Sequence, residues 1–335
     1  GEFISAEAGA RLMELAAKGD ITYCGVDDLG VVTKDDTALD HHIQAVLAHP
    51  LVETATIQAA GFSVVLDAVN SVGAVSIPPL CAVLGVKCDV INTEVSGQFA
   101  HNPEPLPANL TDLIEAVKEG GYDLGIAVDP DVDRLALVGP GGEWIGEEYT
   151  LALVADYVLS RTPGPVVSNL SSSRVVADIA QRYGQEYQAS AVGEVNVVEK
   201  MKSIGAVIGG EGNGGIIDPV LHYGRDSLIG LALVLSHLAT SGKTVNELRR
   251  SYPHYEMIKD KKAVAKDYDL NGAFTRVRAK FPDVKTNDVD GLKLDFPDGW
   301  VHLRASNTEP IVRVYAEANT AGRARELAAA VKGEL

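Results

Sequence analysis

Only three cysteines, Cys24, Cys81 and Cys88, occur in 335 residues. They are too few and too unpatterned for a metal site or a disulfide framework, so they read as packing thiols of a reducing compartment. Basic charge is scarce as well: 29 lysines and arginines stand against 46 aspartates and glutamates, a formal net charge of −17. A phosphate backbone needs a basic surface, so nucleic acid is not an expected partner. A small anion held by locally concentrated arginines remains compatible with that charge. No apolar run reaches the length that spans a membrane, and no signal peptide opens the sequence, so no membrane is expected as a partner. The expected setting is the cytoplasm. Low-complexity segments are missing too. What remains is 46% hydrophobic and 22% charged, an ordinary globular composition whose length predicts two or three domains.

The stretch from Ile126 to Val138 is the most informative. Asp129, Asp131 and Asp133 alternate between two apolar runs, and Arg134 follows at once. Short apolar runs bounded by proline and charge predict buried strands, so the loop leaves the end of a strand carrying three carboxylates. Such a group repels itself unless a hard divalent cation takes the oxygens. Magnesium (Mg2+) fits, since it uses few protein ligands and leaves positions for water or a phosphate oxygen. A solvated acidic turn is the plain alternative.

Around this loop the pattern is α/β. Ser5 to Lys18 predicts a helix stopped by Gly19, whose apolar stripe (Ala8, Leu12, Leu15) has no obvious partner; it reads as the tail of an earlier domain. Strand–helix alternation runs from a helix at 40–48 through strands at 62–68, 86–91 and 124–128. Asn109 with Asp112 predicts a helix start, and Gly120-Gly121 its end. A second unit has a helix at 150–160, a strand at 165–168, a helix capped by Ser172, and a strand at 206–208. A buried helix from Ser227 and a capping box at Thr244 and Glu247 complete it. The charged run Lys259 to Lys262 marks a boundary before a smaller C-terminal α+β unit. The expected fold class is therefore α/β and multi-domain, two α/β units with mixed sheets plus that small C-terminal domain. The boundaries fall at 1–37 (remnant of a first α/β domain), 38–148, 149–256 and 257–335.

Two further loops carry candidate binding groups. Gly209 to Gly215 lets backbone approach a ligand, with Glu211 and Asn213 suited to sugar hydroxyls. His222 and Arg225 follow closely and add a cation and an acceptor. Near the C-terminus, Arg304 leads into Ser306, Asn307 and Thr308, and Arg313 lies on the next strand. Arginine clamps phosphate bidentately, and the small polar side chains supply further hydrogen bonds. Arg313 shares a strand face with Ile311 and Tyr315, and Arg304 is expected to approach from the other side.

Taken together, the loops resemble the α-D-phosphohexomutase family over almost the whole chain. Gly97 to Pro105 (GQFAHNPEP) is similar to a segment between strands of its second domain. Asp129-Pro130-Asp131-Val132-Asp133-Arg134 is similar to its magnesium loop, Gly210 to Gly214 to its sugar loop, and Arg304 to Pro310 to its phosphate loop. The resemblance implies Mg2+ on Asp129, Asp131 and Asp133, with Arg134 as the catalytic candidate. It further implies a hexose or hexosamine phosphate bound by Glu211, Asn213, His222, Arg225, Arg304, Ser306, Asn307, Thr308 and Arg313. The sequence leaves oligomeric state open.

One departure stands beside the match. The family carries a phosphoserine in a Ser-His-Asn-Pro type loop of its first domain, and nothing in these residues corresponds to it. No Ser–His or Ser–Lys pairing that would replace it is legible. The expectations are thus a phosphohexomutase that, as given, lacks its nucleophile, or a phosphosugar- and metal-binding protein without turnover. An aspartate-nucleophile phosphatase is disfavoured, because its motif usually opens the first strand. Asn213 stands where many glucose and mannose members have serine, and resembles members acting on glucosamine phosphate.

Overall fold

The computed structural model describes residues 3–19, 21–265, 268–306 and 309–335. The chain begins with α1 (Ala6–Lys18), capped by the Ser5 side chain and ended at Gly19 in the left-handed conformation. None of its residues is buried, and Leu12, Met13 and Leu15 face solvent. Of the apolar stripe, Ala8 lines a hollow with Ile4, Val195 and Val198, whereas Leu12 and Leu15 stay exposed.

Next come α2 (Ala38–Leu47), α3 (Thr54–Ala60), β1 (Ser63–Asp67), α4 (Gly73–Val83), β2 (Lys87–Ile91), α5 (Thr111–Gly120), β3 (Leu124–Val128), β4 (Leu135–Gly139) and β5 (Glu143–Trp144). Their strands form one sheet in the order β2-β1-β3-β4-β5. The first three are parallel, and β4 and β5 run antiparallel to their neighbours. Both faces are covered, so both sets of alternating side chains are apolar. Val64, Leu66, Ile126 and Leu137 enter one core, while Val65, Ala127 and Val138 pack with Leu113 and Val117 of α5 in another.

The following elements are α6 (Glu147–Leu159), β6 (Val166–Asn169), α7 (Val175–Arg182), β7 (Tyr187–Ser190), α8 (Glu194–Ile204), β8 (Ile208–Glu211), β9 (Gly215–Ile217), α9 (Ser227–Ser241) and α10 (Val245–Arg250). The strand order is β7-β6-β8-β9, again with three parallel strands and a closing antiparallel one. The plan of the first sheet is therefore repeated. The aspartate loop and the glycine loop occupy the same place in each copy, where the last parallel strand turns back. α6 and α9 are apolar nearly all round and bury against both units, so one continuous core joins them.

The C-terminal elements are β10 (Glu256–Ala263), α11 (Leu270–Lys280), β11 (Lys285–Asn287), β12 (Leu292–Phe296), β13 (Gly299–Ala305), β14 (Ile311–Ala318) and α12 (Ala321–Lys332). Their sheet is antiparallel throughout, in the order β10-β14-β13-β12-β11. Leu303, Val312 and Val314 face the helices, packing with Val277 of α11 and Leu327 of α12. The alternate positions carry the cations, which puts Lys259, Lys261, Arg313 and Arg304 on the opposite face.

Several local expectations change. Lys259 to Lys262 lies within β10, the first strand of the C-terminal unit and an edge strand, where charge blunts an open edge. The start of α5 is Leu110 without a side-chain cap; Asn109 instead donates to the Glu104 carbonyl at 2.8 Å. Ser172 does not cap α7, because its hydroxyl is committed to Asn169 and to the Gly212 N–H. The strand read at 206–208 lies at Ile208–Glu211, and α3, β7 and α8 carry no strong sequence signal. The capping box at Thr244 and Glu247 is present as read. Among the described residues no helix is long and apolar enough to cross a membrane.

Candidate functional site

β3 delivers Asp129, and β4 leaves antiparallel from Leu135, so the aspartate loop is a hairpin. The Asp129 Oδ1 accepts the N–H groups of Asp133 (3.1 Å) and Arg134 (3.0 Å), which curls the loop around that carboxylate. Val132 sits at φ 61, a strained conformation for a β-branched residue. Two backbone bonds of 3.1 Å hold it there: its N–H donates to the Asp129 carbonyl, and its own carbonyl accepts the Ser227 N–H.

Ligand atoms of Asp129, Asp131 and Asp133 lie within 4.8 Å of one another. Burial, and then the neighbouring Asp133 carboxylate, push Asp129 up to about 7. One oxygen of Asp133 is buried with no hydrogen-bond partner. Arg134 offsets part of the charge, its Nε lying 3.2 Å from Asp129 and 3.6 Å from Asp133. Under-compensated, converging oxygens of this kind fit a hard divalent cation.

The glycine loop is tied to this hairpin. The Gly214 carbonyl accepts the Leu135 N–H at 3.0 Å. Gly214 has φ +91, and a Cβ there would lie 2.4 Å from the Leu135 carbonyl oxygen, so only glycine allows the approach. Glu211 is buried and accepts from Asn169 (2.7 Å), the Gly193 N–H (3.1 Å) and Arg225 (2.7 Å). Arg225 also pairs with Asp133 and, at 3.1 Å, with Glu194. It is a charged link between the two loops. The Asn213 Oδ1 accepts the Gly215 N–H at 3.2 Å, which leaves its amide donors for a ligand.

On the C-terminal sheet, Arg304 and Arg313 are direct cross-strand partners, so they share one face. The sequence had placed them on opposite sides; the register decides otherwise. Adjacent like charges repel unless an anion or acid intervenes. Here Asp290 holds the Arg304 Nε at 2.7 Å, while Arg313 donates to the Tyr315 hydroxyl at 3.1 Å. Ser306 lines a separate hollow beside Val264 and Tyr268. Asn307 and Thr308 lie outside the described residues.

A cavity of about 380 Å³ brings the parts together. Arg134, Arg225, Arg304 and Arg313 line it, with Glu211 and Asn213 between them. Lys259 lines it too, and Glu104, Glu148 and Glu194 join Glu211 as acids, so cations and carboxylates nearly balance. Arg313 is the guanidinium here with no carboxylate paired to it among the described residues. His222 does not line the cavity; it faces Asp226, 2.9 Å away.

Descriptions of phosphoglucomutase/phosphomannomutase domains match the chain in three places: domain II over residues 40–142, domain III over 147–255 and the C-terminal domain over 258–334. A probable phosphoglucosamine mutase of Methanopyrus kandleri is 33% identical over 322 residues, which cover 95% of this chain and 70% of that protein. The chain belongs to the α-D-phosphohexomutase family. A Thermococcus kodakarensis phosphoglucomutase/phosphomannomutase is 35% identical over 328 residues, 97% of this chain and 71% of that one. Among solved structures, a phosphoglucomutase/phosphomannomutase family protein of Burkholderia thailandensis superposes with a TM-score of 0.84 at 26% identity. That match covers 99% of this chain and 70% of the other.

The cleft of this phosphohexomutase chain also holds groups that the sequence reading passed over. Glu148 is buried against the glycine loop, 3.3 Å from Lys259, and burial pushes it up to about 8 despite that ammonium. It reads locally as one of two acids opening a helix. Lys259 opens the C-terminal unit as the sequence suggests, and its alternation with Lys261 is the signal that puts both on one strand face. A Ser–His pair exists after all: Ser171 lies 2.9 Å from the His302 Nδ1, while the His302 Nε2 meets the Asp290 carbonyl. A carbonyl only accepts, so Nε2 carries the proton and the Ser171 hydroxyl donates to Nδ1. Ser171 therefore presents an acceptor oxygen to the cleft. The partners are 131 residues apart, and no local pattern announces them.

Proposed function

We propose that this chain is the substrate-holding part of a phosphohexomutase, which interconverts hexose or hexosamine 1-phosphate and 6-phosphate through an enzyme phosphoserine. The observation that carries the reading is one cavity with cationic groups at two places. Arg304 and Arg313 stand on the C-terminal sheet, and Arg134 stands beside the aspartate loop. A sugar bearing phosphate at both ends needs two such places, one to hold and one to transfer.

In this reading Arg304 and Arg313 hold the phosphate that is not being transferred, with Asn307 and Thr308 added on the family resemblance alone; Ser306 faces the separate hollow. Glu211 and Asn213 orient the sugar between the poles. Magnesium on Asp129, Asp131 and Asp133 would neutralise the transferring phosphoryl group, where most of the gain in phosphoryl transfer lies. Arg134 steadies that carboxylate cluster and contacts the group as it moves. The Asn213 amide donors suit a sugar hydroxyl or a neutral amine at C2, so this residue alone does not choose between hexose and hexosamine phosphates, and the relatives carry both names. A protein that binds phosphosugar without turnover is the alternative reading.

The phosphate assignment is tested by calorimetry with glucosamine 6-phosphate. Charge-assisted hydrogen bonds contribute about 1.5–3 kcal/mol each, so Arg304→Ala is expected to weaken binding by roughly tenfold to a hundredfold. An unchanged affinity would reduce the loop to a turn.

A further inference from the structure

A cluster outside the cleft has the composition of a second ion site. The Nε2 of His42, on α2, lies 2.7 Å from the Asp226 Oδ2, and the Nε2 of His222 lies 2.9 Å from the same oxygen. These three ligand atoms are all within 4.8 Å of one another. The other carboxylate oxygen is already committed: Oδ1 accepts the N–H groups of Leu228 (2.7 Å) and Ile229 (3.3 Å) at the start of α9. That cap fixes the carboxylate plane and aims Oδ2 at the two imidazoles. The Asp226 side chain is 6% exposed, whereas those of His42 and His222 are 32% and 25% exposed. The aspartate is thus desolvated, while the open side leaves room for water as a fourth ligand.

We propose that His42, His222 and Asp226 bind a transition metal ion of the zinc class and thereby fasten α2 to the start of α9. Two imidazole nitrogens and one carboxylate oxygen form a borderline donor set, which selects zinc, cobalt or nickel over magnesium. Ligands held about 2.0–2.2 Å from a tetrahedral ion stand roughly 3.3–3.5 Å apart. Binding therefore opens each of the two contacts by about half an ångström or a little more, within reach of side-chain rotation. Without an ion, both Nε2–H groups donate to one oxygen. With an ion, each neutral imidazole turns its lone pair inward and carries its proton on Nδ1, which at His222 is buried without a hydrogen-bond partner and so takes back part of the gain. The carboxylate already has the outer bonds that ligating groups need, through the helix N–H groups. The site does not rest on the mutase reading, since none of its residues lines the cavity. It lies next to the aspartate loop nonetheless, because Ser227 follows Asp226 and donates to the Val132 carbonyl at 3.1 Å.

The experiment uses the full chain stripped by chelator and then held in excess magnesium, so that the aspartate loop is occupied. Zinc is titrated against a chromophoric chelator, and cobalt is added separately for its visible ligand-field bands. The expected result is one zinc per chain and cobalt bands of low coordination number. His42→Ala should weaken zinc at least tenfold and remove the bands, while the Asp129, Asp131 and Asp133 triple Asn variant should keep both. His222→Gln, checked by circular dichroism together with His42→Ala, serves if either variant is poorly folded. Absence of stoichiometric zinc on the wild-type chain, or zinc lost only in the aspartate variant, would overturn the site and leave the cluster as a hydrogen-bonded clamp.

Discussion

His302 is 1% exposed, and burial holds its imidazole down to about 4. In the unfolded chain a histidine titrates near 6.5. Between these values the unfolded state binds more protons than the native one, so stability rises with pH. The contribution is complete above about pH 6.5 and is lost as the pH falls toward 4. Asp129 and Glu148, whose carboxyls are pushed up, contribute with the opposite sign and cost stability as the pH rises. Comparing wild type with His302→Gln cancels those shared terms. Denaturant unfolding at a series of pH values is expected to show a shallower acid limb for the variant between pH 6.5 and 4. Parallel limbs would mean that the imidazole does not titrate in that window.

Each α/β unit ends its parallel strands with a hairpin, and each hairpin turn carries chemistry. The first turn gathers carboxylates around a strained Val132; the second gathers glycines that let backbone meet backbone at Leu135. The hydrogen bond from Leu135 to Gly214 makes the two turns one surface. For the aspartate turn the expectation concerns metal. Magnesium should bind weakly to the wild-type chain, since the phosphoserine ligand implied by the family is missing from these residues, and the triple Asp→Asn variant should lose that binding. Equal heats from the two proteins in a calorimetric titration would remove the assignment.

The three sheets converge on one cavity, yet the mutase cycle also needs a group that stores a phosphoryl while the sugar turns over. Among the described residues Ser171 is placed in the cleft beside a histidine, but His302 is a poor base there. Its proton-accepting nitrogen is buried, and protonation would add charge near Lys293 and Arg304. Ser171 therefore suits hydrogen bonding better than attack. Residues 1 to 335 alone are expected to show no 1-to-6 phosphate interconversion, even with magnesium and a hexose 1,6-bisphosphate. Incubation with labelled bisphosphate and phosphopeptide mapping checks this. A stoichiometric phosphoserine at Ser171 with turnover would overturn it.

Local sequence determined most of the elements and the order of the loops, with α3, β7 and α8 among the elements it did not announce. Alternating aspartates between apolar runs, the Thr244–Glu247 capping box and the polar turn after Arg304 are short-range patterns that hydrogen bonding and burial read directly. Glycine at 212 and 214 does not belong with them, since a Cβ there would meet Glu148 and Leu135, far away in the chain. Which side chains meet was decided by tertiary structure. Strand register put Arg304 opposite Arg313, and the packing of three sheets brought Glu148 to Lys259 and Ser171 to His302. The same packing turned His222 away from the cleft toward His42 and Asp226. The reason is physical: propensity and spacing act over a few residues, whereas these pairings follow from burying apolar faces of elements far apart in the chain.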